Sequence, residues 1–263
     1  MPLTVRGPRT PDGATVNDHR IDGLTLRAWT LANASPDQPA EARRDVVLVH
    51  GLGASSASFE HLAQHLARSG TVHVLDLPGF AGLPRPGDRL EVEDLARLVT
   101  RWIERADLVR PTLVGHSMGA QVVTEVAASA PGVVSGLVLV GPTTDAAGRS
   151  APRQLLRLAR STAHDSAALQ RVLLRSYLEC GPRWYLTELR AMLRHHIEVR
   201  LPHVDVPVLV VRGARDSVAP DDWAQLLAGS VPQGRVVTVP GGGHAVMYDH
   251  ASEVSDLVRE HVG

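Results

Sequence analysis

The sequence of 263 residues contains a single cysteine, no lysine and almost no net charge. Because Cys180 stands alone, no internal disulfide can form, and nothing requires an oxidising compartment. All basic side chains are arginine or histidine, which we interpret as a codon-composition habit rather than a mechanism. The formal net charge of −1 provides no long-range field to attract a polyanion. Nucleic acid is therefore not an expected partner.

Long apolar runs are also missing. No segment approaches the length that crosses a bilayer, so no membrane span is expected. The segment from Met1 to Thr15 is polar and rich in proline and glycine, and it lacks the apolar stretch of a secretory signal. We therefore expect a cytoplasmic protein. Its oligomeric state stays open.

Hydrophobic residues make up 44% of the chain, which is enough for a substantial core. Six short apolar or β-branched runs predict strands buried on both faces, beginning at Asp45, Thr71, Thr112, Val134, Val206 and Arg235. Helical segments separate most of them, which predicts βαβ units. Two earlier runs, at 15–20 and 24–31, predict an antiparallel hairpin at the sheet edge. The expected fold is α/β, with a mostly parallel eight-stranded sheet flanked by helices.

The alternation of strands and helices is interrupted from Pro142 to about His203. Only helical patterns occur there, near residues 153–162, 166–180 and 183–199, and the interval is too long for a connection in a regular α/β unit. We expect residues 142–203 to form an all-helical cap over the strand ends, inserted into a core of residues 1–141 and 204–263. Such insertions usually shape a binding pocket and limit the access of water.

The most informative segment is Gly115-His116-Ser117-Met118-Gly119, which lies between a strand pattern and a helical pattern. A serine at the apex of so sharp a turn needs neighbours without Cβ, and Gly115 and Gly119 supply them. Its hydroxyl would then point out of the fold as a nucleophile. The same pentapeptide could mark an ordinary glycine-rich turn, but its position favours the nucleophile.

With this segment, four further motifs resemble the α/β-hydrolase superfamily over nearly the whole chain: His50-Gly51-Leu52-Gly53, Asp76-Leu77-Pro78-Gly79, Gly213-Ala214-Arg215-Asp216 and Gly243-His244. The resemblance assigns the family order of nucleophile, acid and histidine to Ser117, Asp216 and His244. His244 would act as general base and acid, and Asp216 would hold its tautomer. The resemblance also assigns the oxyanion hole to the backbone N–H groups of Leu52 and Met118.

Several alternatives stay open within this resemblance. Asp145 is a competing acid, because some relatives carry theirs after the corresponding strand. A serine at position 117 disfavours epoxide hydrolases and haloalkane dehalogenases, which carry aspartate there. Ala245 disfavours a carbon–carbon bond hydrolase, since these enzymes often carry tryptophan after the histidine. Leu83-Pro84-Arg85-Pro86 departs from the family pattern, which usually has a serine in this loop.

Candidate substrate-binding residues are His50, Trp184 and Tyr185, although His50 is expected to be mainly structural. Residues 142–203 contain ten arginines and five acidic residues, most of which we expect on solvated helix faces. One of these arginines could instead bind a substrate carboxylate. The three histidines at positions 195, 196 and 203 lack carboxylate or thiolate partners at ligand spacing, so no metal is expected and a solvent-facing helix end is favoured.

The sequence therefore predicts a serine hydrolase that cleaves a carboxylic ester or a related acyl compound through an acyl-enzyme. The expected partner is a small-molecule acyl substrate, and no metal or organic cofactor is implied. A carbon–carbon bond hydrolase of β-diketone-like substrates, a thioesterase, a lactonase or a cofactor-free perhydrolase would use the same three residues. A ligand-sensing protein on the same fold is the non-enzymatic alternative.

Overall fold

The computed structural model describes residues 13–33, 45–163 and 165–262. The N-terminal stretch up to residue 12, for which no signal segment was expected, lies outside the described residues. In the described ranges, eight strands form one sheet: β1 (Ala14–Ile21), β2 (Leu24–Leu31), β3 (Val46–Val49), β4 (Val72–Asp76), β5 (Thr112–His116), β6 (Gly136–Val140), β7 (Val208–Gly213) and β8 (Gly234–Val239). Their spatial order is β1-β2-β4-β3-β5-β6-β7-β8.

The sheet is mostly parallel. Strands β3 to β8 pair in parallel, whereas β2 is antiparallel to both β1 and β4. The hairpin turns at Asp22 and Gly23, and β1 forms the sheet edge. The predicted α/β class, the eight strands and the antiparallel hairpin are thus confirmed.

Ten α-helices accompany the strands in the described ranges: α1 (Glu60–Leu66), α2 (Val92–Arg105), α3 (Met118–Ser129), α4 (Ala151–Thr162), α5 (Ala167–Cys180), α6 (Pro182–Arg194), α7 (Ile197–Arg200), α8 (Asp221–Gly229), α9 (Val246–Asp249) and α10 (Ala251–Val262). None of these helices is long and apolar enough to cross a membrane.

The sheet is covered on both faces, as continuous apolar strands require. Along β3, Val47 and Val49 belong to the apolar cluster that contains α2, α3 and α8, while Val46 and Leu48 belong to the cluster of α1, α9 and α10. This alternation follows from the period of two along a strand. The core therefore has three layers, with the sheet between two layers of helices. The loops that follow the parallel strands lie together at one edge of this sheet.

Helices α4 to α7 lie between β6 and β7, and the described part of this segment contains no strand. The helix expected at residues 183–199 differs, because α6 ends at Arg194 and His195 has an extended backbone with φ −74° and ψ 128°. Gln121 on α3 causes this break, since its Nε2 donates to the carbonyl oxygens of Met192 and His195. A buried side chain on another helix thus donates hydrogen bonds to backbone carbonyl groups at the end of α6, which have no partner within the helix.

Candidate active site

The turn from β5 into α3 presents Ser117 with φ 56° and ψ −117°, which is a strained conformation for a residue with a side chain. Two glycines make this turn possible. A Cβ at Gly115 would lie 2.3 Å from the carbonyl oxygen of Gly119, and a Cβ at Gly119 would lie 2.2 Å from that of Val49. Both contacts are with backbone, which cannot move aside. Glycine is therefore required on either side of the serine.

Ser117, His244 and Asp216 lie in one hydrogen-bonded chain, although 127 and 28 residues separate successive members along the sequence. The Nε2 atom of His244 is 3.0 Å from Oγ of Ser117, and its Nδ1 atom is 3.0 Å from Oδ2 of Asp216. A carboxylate only accepts, so Nδ1–H donates to Asp216 and Nε2 is left to accept from the serine. The imidazole is thus held in the tautomer that a general base needs.

Asp216 is held by several donors besides His244. Its Oδ1 atom accepts from the backbone N–H groups of Val218 at 2.8 Å and Ala219 at 3.2 Å, and from Oγ of Ser161 at 3.3 Å. Burial raises the pKa of this carboxyl, but the charge and hydrogen bond of His244 and the two amides outweigh burial and lower it below its usual value. Asp216 is therefore an ionised acceptor in a fixed orientation.

The competing acid, Asp145, has a different role in the structure. Its carboxylate caps the short turn that follows it by accepting from N–H of Gly148 at 2.7 Å, and it also pairs with Arg157. The carboxylate that meets the Nδ1 atom of His244 is that of Asp216. The alternative at position 145 is consequently not supported.

Opposing effects act on the pKa of His244. Burial lowers it, but the negative charge and hydrogen bond of Asp216 outweigh burial and raise the pKa above its ordinary value of 6.5. The neighbouring His116 behaves oppositely, since burial and the charge of His244 lower its pKa to about 3. The neutral ring of His116 donates from Nε2 to the carbonyl oxygen of His244, 3.2 Å away. Sequence reasoning did not identify His116, although it lies directly before the serine.

The loop after β3 lies directly against the serine. A Cβ at Gly51 would be 2.8 Å from Cβ of Ser117, so only glycine allows this approach. Leu52 follows in the same loop and lines the cavity above the serine. Met118 is the first residue of α3, and the amides of a first helical turn have no carbonyl partner within the helix. The positions of both residues are compatible with their expected role as oxyanion donors.

A small cavity of about 40 Å³ opens at Ser117 and His244. Helices α4, α5 and α6 contribute much of its wall, chiefly through apolar side chains, including Leu155, Leu158, Leu173, Tyr177, Leu189 and Met192. Tyr185, one of the three expected substrate-binding residues, belongs to this wall, whereas His50 and Trp184 do not. An apolar wall with few polar groups is typical of a site for a small organic substrate.

His50 and Trp184 are structural instead. His50 is fully buried, its Nδ1–H donates to the carbonyl oxygen of Gly51 at 2.8 Å, and its Nε2 accepts from N–H of Leu77 at 3.1 Å. Both ring nitrogens are therefore occupied, and the ring joins the loops after β3 and β4. The indole of Trp184 packs against Gly79 and Phe80 in the loop after β4. The expectation that His50 is mainly structural agrees with these hydrogen bonds, and the position of Trp184 gives no support to its expected role in substrate binding.

The structure does not support the alternative that an arginine of residues 142–203 binds a substrate carboxylate. No arginine belongs to the wall of the cavity in the described part of the chain. Half of the ten pair with acidic residues instead: Arg149 with Glu198, Arg157 with Asp145, Arg175 with Glu179, Arg194 with Glu91 and Arg200 with Glu125. Their charge therefore serves ion pairs outside the cavity.

His195 is buried, which corrects the expectation of a solvent-facing helix end. One ligand-type atom from each of Glu93, Glu125 and His195 lies within 4.8 Å of the other two. The guanidinium of Arg200, however, already binds both oxygens of Glu125, at 2.7 and 3.0 Å. A cation already neutralises this carboxylate, so the cluster is an ion-pair network that joins α3 to α7.

Comparisons with known proteins identify the family of the chain. A model of the alpha/beta hydrolase family matches residues 46–257. Abhydrolase domain-containing protein abhd-5.2 of Caenorhabditis elegans is 34% identical over 115 residues, which are 42% of this chain and only 26% of that protein. A pimeloyl-[acyl-carrier protein] methyl ester esterase of Neisseria meningitidis is 28% identical over 248 residues, covering 84% of this chain and 78% of the esterase.

Among solved structures, the enol-lactonase of Burkholderia xenovorans LB400 superposes with a TM-score of 0.79 at 16% identity, covering 94% of this chain and 99% of the lactonase. At this identity the likeness concerns the fold alone. The family match, by contrast, extends over most of the chain and includes the serine turn, the acid and the histidine. The chain therefore belongs to the alpha/beta hydrolase family and is a hydrolase-type enzyme.

Proposed function

We propose that the protein is a serine hydrolase that cleaves a carboxylic ester or a related acyl compound. The observation that carries this proposal is the hydrogen-bonded chain from Asp216 through His244 to Ser117, which opens on an apolar cavity. A serine hydroxyl is a weak nucleophile, and it needs a base at hydrogen-bond distance. The neutral Nε2 atom of His244 fills that requirement.

In the first half of the reaction, Oγ of Ser117 attacks the carbonyl carbon while Nε2 of His244 takes the hydroxyl proton. Asp216 stabilises the imidazolium that forms, and the backbone N–H groups of Leu52 and Met118 donate to the oxyanion. His244 then gives its proton to the departing alkoxide, which leaves an acyl-enzyme. In the second half, His244 removes a proton from water as its oxygen attacks the acyl carbon. The bond from the acyl carbon to Oγ of Ser117 then breaks, His244 returns the proton to Oγ, and the acid is released.

Residues 142–203 serve in this proposal as a cap on the core formed by residues 1–141 and 204–263. Its support is that α4, α5 and α6 all contribute side chains to the cavity wall. A side wall of leucine and methionine excludes water and suits the apolar part of an acyl chain. The cytoplasmic location stays a prediction from the sequence.

Labelling and turnover together test the proposal. A fluorophosphonate should label the wild type at Ser117, and short-chain nitrophenyl esters should be turned over. Ser117→Ala should lose both, whereas Ser230→Ala, which changes a serine at the end of α8, should keep both. Turnover that survives in Ser117→Ala would refute the assignment of the nucleophile.

The same experiment separates the alternatives. Turnover of thioesters, lactones or β-diketones, but of no simple ester, would favour a hydrolase of that class with the same three residues. Labelling without turnover of any acyl compound would favour a ligand-sensing protein. Neither result would change the positions of the three side chains.

A further inference from the structure

One carboxyl group in the cavity has no role in the reaction or in the fold. Asp165, in the turn between α4 and α5, belongs to the same cavity wall as Ser117 and His244. The residue is 8% exposed, and its buried Oδ2 atom has no hydrogen-bond partner among the described residues. Its backbone is anchored, since its N–H donates to the carbonyl oxygen of Thr162 at 3.1 Å and its own carbonyl oxygen accepts from Nε2 of Gln170 at 3.2 Å.

The carboxyl group lies beside the loop that carries the catalytic histidine. A Cβ at Gly243 would be 2.4 Å from Oδ1 of Asp165 and 3.1 Å from the carbonyl oxygen of Ser161. Any side chain at position 243 would therefore displace the carboxyl group or the end of α4. Because residue 243 is glycine, the carboxyl group of Asp165 fits against the loop next to His244. It therefore lies at the end of the cavity that contains Ser117 and His244.

The charged and titratable groups that act on Asp165 are His244, Asp216 and Asp249, and Tyr177 also shares the cavity. Burial and the two other aspartates raise the pKa of Asp165 to about 6, against the opposing effect of His244. The wall contains no arginine in the described residues. Above pH 6 the cavity therefore holds a carboxylate, and His244 is the basic side chain that acts on it among the residues that the structure describes.

An unpartnered buried carboxylate is costly, and a donor from the substrate removes that cost. We propose that Asp165 is a specificity-determining residue, which selects acyl substrates carrying a hydrogen-bond donor, a hydroxyl or an ammonium group, and rejects substrates carrying a carboxylate. This inference rests on the proposed ester hydrolysis. A hydrogen bond to a charged acceptor strengthens binding, and a second negative charge in the same small cavity is repelled.

The test uses four methyl esters matched in length: methyl hexanoate, methyl 6-hydroxyhexanoate, methyl 6-aminohexanoate and monomethyl adipate. Release of the acid gives kcat/KM for the wild type, for Asp165→Asn and for Glu179→Gln at pH 8. Glu179→Gln removes one charge from α5 outside the cavity wall. The wild type should prefer the two donor-bearing esters and discriminate against monomethyl adipate.

In Asp165→Asn, kcat/KM for monomethyl adipate relative to methyl hexanoate should rise about tenfold or more. The same ratio for methyl 6-aminohexanoate should fall by a similar factor. Glu179→Gln should leave both ratios unchanged. If no protein hydrolyses methyl hexanoate or any of the other esters, the proposed hydrolysis of simple carboxylic esters fails, and the inference about Asp165, which rests on it, fails with it. If methyl hexanoate is hydrolysed and the ratios are the same in Asp165→Asn and the wild type, only the inference about Asp165 is overturned.

A second measurement needs no variant. In the wild type, the ratio of kcat/KM for monomethyl adipate to that for methyl hexanoate should fall as the pH rises through about 6, because Asp165 ionises there. Titration of His244 affects both esters alike and cancels in the ratio. A ratio that stays constant from pH 5.5 to pH 8 would overturn the inference even if Asp165→Asn does not fold.

Discussion

Replacing Glu188 by glutamine should flatten the dependence of stability on pH. Glu188 lies on α6 and is fully buried, and neither of its carboxyl oxygens has a hydrogen-bond partner among the described residues. Burial, with Glu91 and Asp94 nearby and against the opposing effect of Arg89, raises its pKa from 4.5 to about 8. The folded protein therefore holds this carboxyl protonated at neutral pH. Glutamine has the same shape and is neutral at every pH.

The direction in which the free energy of unfolding changes with pH follows from how many protons the folded and the unfolded protein bind. Between pH 4.5 and about 8 the unfolded chain releases this proton while the folded protein retains it, so the free energy of unfolding falls as the pH rises. Each pKa unit corresponds to about 1.4 kcal/mol. From pH 5 to pH 8 the wild type should therefore lose about 3 kcal/mol through Glu188 alone. Glu188→Gln should not show this loss.

Urea unfolding at pH 5, 6, 7 and 8 measures the difference directly. The free energy of unfolding of Glu188→Gln relative to the wild type should increase by about 3 kcal/mol from the lowest to the highest pH. Any constant cost of burying the amide cancels in this comparison. Glu104→Gln, at an exposed position on α2, controls for the change in net charge. Parallel curves for Glu188→Gln and the wild type would refute the reasoning.

Three further predictions concern the candidate site and its turn. Asp216→Asn should keep the fold, judged by circular dichroism, and lower kcat/KM by about 10³ to 10⁴, because the histidine loses the acceptor that holds its tautomer; a loss below tenfold would contradict the assignment of the acid. In the wild type, kcat/KM for a neutral ester should rise with pH to a plateau with its midpoint above 6.5, because protonated His244 cannot accept the proton of Ser117; a midpoint well below 6.5 would contradict the raised pKa. Gly119→Ala should destabilise the protein by about 3 kcal/mol or more in urea, because its Cβ would meet the carbonyl of Val49, whereas Gly229→Ala, with nothing within 4 Å, should not; equal stability of the two variants would contradict the close packing of the turn.

Most of the architecture was predictable from the sequence because its signals are local. The apolar runs that became β3 to β7 show the continuous burial of a parallel sheet. The run at β8 was also expected to be buried on both faces, but β8 lies at the sheet edge and most of its residues are exposed or half-buried. Asp22-Gly23 turns the hairpin where a residue with positive φ is needed. Gly115 and Gly119 likewise predicted a tight turn at Ser117, which the backbone contacts of the structure require.

Side chains whose surroundings depend on distant segments were not predictable in the same way. His50 belongs to a family motif and Trp184 to the helical segment 142–203, and neither is near the loop after β4 along the chain. In the structure both side chains contact this loop. His195 looked like a helix end in solvent, and it is buried because Gln121 and Glu125 on α3 meet it. The spacing of residues along a chain predicts which face of a helix or strand is buried. It does not predict which distant side chain packs against that face.

The sequence by itself determined the strands, most of the helices, the sharp turn at Ser117 and the order of the three candidate residues. Each of these depends on backbone propensity, side-chain periodicity or a motif within a few neighbouring residues. Only the tertiary structure decided that Oδ2 of Asp165 and both carboxyl oxygens of Glu188 are buried without a hydrogen-bond partner among the described residues. It also decided that the arginines of residues 142–203 do not belong to the cavity wall. Burial and charge balance are sums over residues far apart in the chain, and folding alone brings those residues together.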